Sequence, residues 1–201
     1  MKSIEIIVSF FVGVSATIAG TYFFSLCNWL PFKKFKGTGV IKIFDNQAQA
    51  TKSILNDIKQ SKILYVLTMK GESFSNKEDS PLAKYLCDAE KQHRYLVSSL
   101  DNPYLKIRKD ELDKENMEDA VLLSLHNFQE AQKKNQNIEL KQHEEIVRFR
   151  IIFTTNYLYL SFQEVKIAGK KSPILKIRKD SSMYRNFFSL FNDLWEKYPS
   201  V

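Results

Sequence analysis

The residues of this chain best suited to chemistry are two arginines and two neutral polar residues between positions 147 and 163. Arg148 and Arg150 alternate with apolar residues along a predicted strand, and Ser161 and Gln163 end the predicted strand that returns from it. Side chains two residues apart on a strand share a face, so both guanidinium groups point the same way. Guanidinium groups bind phosphate through charge-assisted, bidentate hydrogen bonds. The spacing therefore predicts an anion-binding cleft, whereas the alternative leaves two solvated charges on a half-buried strand.

The apolar residues of the first strand predict which of its sides faces the core. One face carries the alternate apolar residues from Val147 to Phe153, and the other carries Arg148, Arg150 and Ile152. We therefore expect the core to lie against the first face and the anion cleft to open on the second.

The same segment resembles the second half of a phospholipase D-type site. There, one strand carries His-x-Lys-x4-Asp and the returning strand ends near Gly-Ser-x-Asn. In this chain Arg148 stands at the His position, Arg150 at the Lys position and Thr155 at the Asp position, while Ser161 and Gln163 match the Ser and, loosely, the Asn. The family uses a neutral imidazole to attack phosphorus and a second His as general acid. An arginine stays protonated and offers no lone pair, so the resemblance implies a module without catalysis.

The three histidines of the chain do not restore the missing motif. His93, His126 and His143 each lack a Lys two residues later. We therefore expect a catalytically inactive module that binds an anionic ligand or a protein partner. The alternative is an atypical phosphodiesterase of the phospholipase or nuclease kind acting as a dimer, because complete enzymes of this family pair two such units. A third candidate is an assembly subunit that docks at the membrane without a ligand.

The order of predicted elements indicates an α/β fold. Hydrophobic runs of strand length occur at 40–44, 63–69, 94–99, 138–141, 146–153, 157–163 and 174–178, and helices are predicted between them. The helices cover 46–60, 81–87, 105–134 in one or two pieces, and 184–197, with Asp45 or Asn46 capping the first. Residues 71–74 are predicted as a loop. Collinear similarity over about 40–198 implies a phospholipase D-like mixed β-sheet flanked by helices.

The N-terminal segment predicts a membrane anchor. Residues 6–32 contain no charged side chain, and a helix over 6–26 would be about 31 Å long, close to the thickness of the hydrocarbon core of a bilayer. Residues 33–39 form a basic linker with three lysines, which places the N-terminus outside and the domain at 40–201 in the cytoplasm. A cleavable signal peptide with a site at 17–19 is the alternative. We therefore expect one transmembrane helix within residues 1–32 to precede the phospholipase D-like domain.

The charge of the chain predicts anionic partners. The net charge is +7, and residues 1–32 contribute nothing to it because Lys2 balances Glu5. A basic surface favours lipid headgroups, nucleotides or nucleic acid. No Cys or His spacing suggests a metal, and no cofactor is expected. Small bacterial proteins that pair one transmembrane helix with such a domain resemble components of signalling or phage-defence systems, which implies a protein partner.

An eight-residue segment occurs twice in the chain. Residues 103–110 recur as 173–180 with seven of the eight positions identical. The first copy is predicted to enter a helix and the second to form a strand. Chance in a chain rich in Lys and Ile is one explanation. The functional alternative is that both copies place Arg-Lys pairs near one anion site.

Overall fold

The structure, a computed structural model, describes residues 37–76, 80–86, 88–112, 116–163 and 168–200. The described residues from Gly39 onward belong to one compact unit. The predicted transmembrane segment at 6–26 and the lysines at 33, 34 and 36 lie outside the described residues. Within the described ranges, no helix is both long and apolar enough to cross a bilayer.

Seven strands form one mixed β-sheet. They are β1 (Val40–Phe44), β2 (Ile63–Thr68), β3 (Gln92–Ser98), β4 (Ile138–His143), β5 (Phe149–Phe153), β6 (Tyr157–Phe162) and β7 (Ile174–Arg178). Their order across the sheet is β1-β7-β6-β5-β2-β3-β4. Strands β2, β3 and β4 run parallel to one another, and every other neighbouring pair is antiparallel. The predicted α/β fold with a mixed sheet is therefore confirmed.

Five α-helices accompany the sheet in the part of the chain that the structure describes. They are α1 (Gln47–Lys59), α2 (Glu72–Ser75), α3 (Pro103–Leu112), α4 (Met117–Lys134) and α5 (Ser182–Lys197). The side chain of Asn46 accepts a hydrogen bond from the backbone N–H of Gln49, which caps α1 as predicted. The predicted helical region at 105–134 is split into α3 and α4. The predicted loop after Gly71 is instead the single-turn helix α2, because the N–H groups of Phe74 and Ser75 bond to the Gly71 carbonyl.

The sheet has a hydrophobic core on each of its two faces. Helices α1 and α4 cover one face with residues such as Ile54 and Phe128, and α5 covers the other with Phe191 and Trp195. Strand β5 lies in the middle of the sheet and contributes to both cores. Ile151 and Phe153 enter the α5 core, while Ile152 is 1% exposed in the opposite core.

The prediction of a core on one side of β5 only is therefore wrong. The face shared by Arg150 and Ile152 is itself covered by α1 and α4, since the central strands of a mixed sheet carry helices on both sides. The alternation along the strand nevertheless holds. Arg150 thus reaches its cleft from the edge of a packed core.

Candidate functional site

A cleft of about 290 Å³ opens where β2 and β6 end and β5 begins. The turn before α2, the helix α3 and the segment before β7 complete its walls. Its charged and polar lining includes Lys70, Arg108, Arg150, Ser161, Gln163 and Lys170. Three of the four predicted site residues, Arg150, Ser161 and Gln163, are therefore brought together here.

Arg150 lies at the cleft with a single neutral partner. Its Nη1 donates to Gln47 Oε1 over 2.8 Å, and within the described residues no carboxylate lies within ion-pair distance of it. The protein around the guanidinium removes much of its hydration, and this burial lowers the pKa of Arg150 to about 10. The side chain therefore stays charged at neutral pH. It retains N–H donors that a ligand in the cleft can use.

Ser161 and Gln163 approach Arg150 from the neighbouring strand. Ser161 is the cross-strand partner of Arg150 and is 3% exposed. The backbone N–H of Gln163 donates to the carbonyl of Arg148 over 2.8 Å, which extends the pairing of β5 and β6 by one bond. Its side-chain Oε1 accepts from the hydroxyl of Tyr104 over 3.4 Å. Both residues can add neutral hydrogen bonds beside the arginine.

Arg148 lies outside the cleft. Its Nη2 donates to Glu111 Oε1 over 2.6 Å, and its guanidinium lies over the Tyr104 ring at 5.1 Å from the centroid. The other oxygen of Glu111 accepts from Arg108 Nη1 over 2.7 Å. Hydrogen bonds from Arg148 and then from Arg108 hold the pKa of Glu111 below its usual range. One carboxylate on α3 thus binds both arginines.

Arg108, Lys70 and Lys170 were not predicted as site residues. Arg108 is 1% exposed and borders the cleft from α3, while Lys70 forms an ion pair with Glu72 over 2.9 Å. Lys170 is exposed on the short turn before β7. Sequence spacing does not connect these residues with β5. The one available signal was the repeated segment, whose first copy contains Arg108.

The two copies of the repeated segment lie at different places. The first forms α3 and the second forms β7, which confirms the predicted helix and strand. Arg108 borders the cleft, but the matching Arg178 is paired across the sheet with Tyr157, at the opposite end of β6 from Ser161. Arg178 is exposed and bound to Asp180 over 3.2 Å. The idea that both copies serve one anion site is therefore wrong.

The turn at Gly71 requires a glycine. Gly71 has φ of 81°, and a Cβ built there would lie 2.9 Å from Cε2 of Phe128. A side chain at this position would meet both a strained backbone conformation and the packed α4. The turn at Gly71 places Lys70 and Ser73 in the lining of the cleft.

None of the three histidines is among the residues that line the cleft. His93 is buried, with Nε2 bonded to the Asp88 carbonyl over 2.9 Å and Nδ1 to the Tyr95 hydroxyl over 3.1 Å. His143 is buried at the end of β4, its ring edge-on to that of Tyr198. Burial lowers the pKa of His143 to about 4, and His126 is exposed on α4. The lining of the cleft therefore contains no imidazole.

Thr155, at the position of the family's Asp, lies in the turn between β5 and β6. Its hydroxyl is 3.0 Å from Ser61 Oγ and accepts from the N–H of Lys62 over 3.0 Å. These bonds tie the turn to the start of β2. In the part of the chain that the structure describes, no group of three His, Cys, Asp or Glu side chains is placed to bind a metal.

The sequence matches neither a protein-family model nor a curated protein. Solved structures, by contrast, resemble the fold. Phosphatidylserine synthase from Haemophilus influenzae Rd KW20 aligns with 79% of this chain and 39% of its own, at a TM-score of 0.51 and 12% identity. Nuc from Salmonella typhimurium, a phospholipase D family member, aligns over 80% of this chain and 96% of its own, at 0.50 and 10%. The chain therefore has a phospholipase D-like fold.

The archaeal chromatin protein TrmBL2 is also similar in structure. It covers 94% of this chain at 15% identity with a TM-score of 0.49, and the chain spans 65% of its length. At sequence identities this low, the similarity concerns the fold alone.

Proposed function

We propose that this chain is a non-catalytic phospholipase D-like module whose cleft binds a phosphate-bearing ligand. The observation that carries the proposal is Arg150, a charged side chain at the cleft whose described hydrogen-bond partner is the neutral amide of Gln47. A half-buried cation without a carboxylate beside it is costly, and a bound anion offsets that cost.

The other charges of the cleft favour the same kind of ligand. Lys70, Arg108 and Lys170 line it together with Arg150, and the acidic lining residue is Glu72, which pairs with Lys70. Glu111 compensates Arg108 from the side of α3. The cleft thus carries more positive than negative charge, and its partly enclosed walls strengthen the attraction of an anion.

The absence of an imidazole at the cleft supports binding without hydrolysis. A protonated guanidinium neither attacks phosphorus nor protonates a leaving group, and the three histidines lie elsewhere. The alternative, a phosphodiesterase completed by dimerisation, would need both catalytic groups from a second subunit. We therefore expect no turnover of bis-p-nitrophenyl phosphate, phospholipid or nucleic acid.

The sequence supplies the rest of the proposal. The apolar segment at 6–26 anchors the module in a bilayer, and the domain faces the cytoplasm. In a bacterial signalling or phage-defence system, ligand occupancy would be transmitted to a protein partner or to a second copy of the chain. This role rests on the resemblance alone.

The binding experiment uses the full chain in a non-ionic detergent. Calorimetric titration with inorganic phosphate and pyrophosphate should give saturable binding that Arg150→Met abolishes. Arg148→Met is the matched control, because it removes a guanidinium just before β5 and outside the cleft. We expect this control to keep at least a third of the affinity. If the wild type and Arg150→Met bind phosphate and pyrophosphate with equal affinity, the proposal is contradicted.

A further inference from the structure

A second chamber, lined in part by Gln47, lies next to the cleft around Arg150. This chamber has about 300 Å³ of space and shares the walls formed by Glu72, Ser73 and Lys170 with the first. Its remaining lining comes from the first turns of α1 and from Asn76, Ser80 and Pro81. The two chambers therefore adjoin one another at Glu72, Ser73 and Lys170.

Gln47 is held by hydrogen bonds on both sides. Its Oε1 accepts from Arg150 Nη1 over 2.8 Å, and its Nε2 donates to Ser73 Oγ over 3.3 Å. These two bonds fix the orientation of the amide, so the carbonyl faces the arginine. A group bound to Arg150 thus lies next to a neutral polar wall rather than an apolar one.

The second chamber is lined mainly by uncharged polar side chains. Gln47, Thr51, Ser73, Asn76 and Ser80 contribute hydroxyl and amide groups, with Ala48 and Pro81 as small apolar patches. Thr51 and Ser80 donate their hydroxyl protons to the carbonyls of Gln47 and Ser73, so these hydroxyls offer a ligand acceptor lone pairs. A fatty chain would separate these lone pairs from water without replacing the hydrogen bonds. A hydroxyl-bearing group replaces them.

Building on the proposed function, we propose that Arg150 binds the phosphate of a phosphorylated sugar and that the second chamber takes the sugar. The sugar phosphate is either free or part of a nucleotide, since both present a phosphate followed by ring hydroxyls. Lys170 lies at the wall shared by the two chambers and is placed to contact the ligand at the phosphate ester.

The test titrates the full chain with inorganic phosphate, ribose 5-phosphate, AMP and dihexanoyl phosphatidic acid. We expect ribose 5-phosphate or AMP to bind at least tenfold tighter than phosphate, and the phosphatidic acid no tighter than phosphate. Ala48→Trp fills the second chamber from an exposed position on α1. It should remove the tenfold gain and leave the affinity for phosphate within twofold.

Asn56→Trp is the matched control, because it adds the same side chain to an exposed position of α1 away from both chambers. It should leave every affinity unchanged. Equal affinities for phosphate and the sugar phosphates, tighter binding of the phosphatidic acid, or a gain that survives Ala48→Trp would each overturn the sugar-phosphate inference while leaving the anion site in place. Failure of all four compounds to bind would overturn both.

Discussion

Arg148 donates to Glu111 over 2.6 Å, and this contact ties it to α3 rather than to the cleft that Arg150 lines. Two arginines that are two residues apart, one just before β5 and one within it, thus have different contacts. Arg148 joins α3 to β5 through the carboxylate that also binds Arg108. Arg150 remains without an acidic partner among the described residues.

The Glu111 contact predicts a large effect on stability. Glu111→Gln should lower the free energy of unfolding by about 2–3 kcal/mol, because the ion pair of the buried Arg108 is lost. Urea denaturation of the full chain measures this. Glu130→Gln is the control, since it removes an exposed ion pair with Lys133, and we expect no measurable change. Equal effects of the two variants would show that the Arg108 pair does not stabilise the fold.

We expect the substitution Arg150→Met to make the protein more stable and to weaken its binding of phosphate. Arg150→Met should raise the free energy of unfolding by about 1 kcal/mol without ligand, because it removes a desolvated charge whose described partner is an amide. Phosphate should stabilise the wild type but not this variant. The measurement is thermal denaturation with and without phosphate at constant ionic strength. A variant less stable than wild type would mean that Arg150 serves the fold.

A network of polar side chains connects α1 with β7, and we expect substitutions on the two elements to be energetically coupled. Lys176 Nζ lies 2.6 Å from Asp57 Oδ2, and both side chains are mostly buried. Burial raises the pKa of Tyr159, so its hydroxyl stays protonated and donates to the same carboxylate over 2.5 Å. Asp57→Asn should cost about 3 kcal/mol, and a double-mutant cycle with Lys176→Met should give a coupling of about 1–3 kcal/mol. Additive losses would argue against the network.

We expect the buried His143 to make the folded protein less stable in mild acid. Burial lowers its pKa to about 4, whereas the unfolded chain titrates near 6.5. Between these values the unfolded state binds more protons, so the free energy of unfolding falls as pH drops from about 6.5 to about 4 and then levels off. The expected loss between about pH 7 and about pH 5 is roughly 2 kcal/mol.

His143→Gln should remove this loss, while His126→Gln, which changes an exposed histidine on α4, should retain it. Urea denaturation at the two pH values provides the comparison. Parallel pH dependence in wild type and His143→Gln would assign the acid sensitivity to other groups.

The topology prediction is tested in cells. With three lysines after the apolar segment and one before it, a reporter fused behind Val201 should be active if it works in the cytosol and silent if it requires export. A reporter active only after export would reverse the orientation.

Much of the fold follows from local patterns in the sequence. Period-two alternation placed Arg150 and Ile152 on one face, and the Asn46 cap marked the start of α1. The opposite structures of the two repeated segments were also predicted. Each of these features depends on residues within a few positions of one another, because hydrophobic periodicity and capping are local interactions.

Which residues come together at the site depends on the tertiary structure and not on local sequence patterns. Glu111 meets Arg148 across 37 positions and Gln47 meets Arg150 across 103, and no local pattern specifies such pairs. The sequence alone determined that two arginines share a strand face. The packing of α3 and α1 decided that Arg148 is paired with a carboxylate and Arg150 with a neutral amide, because long-range contacts set which charges are paired.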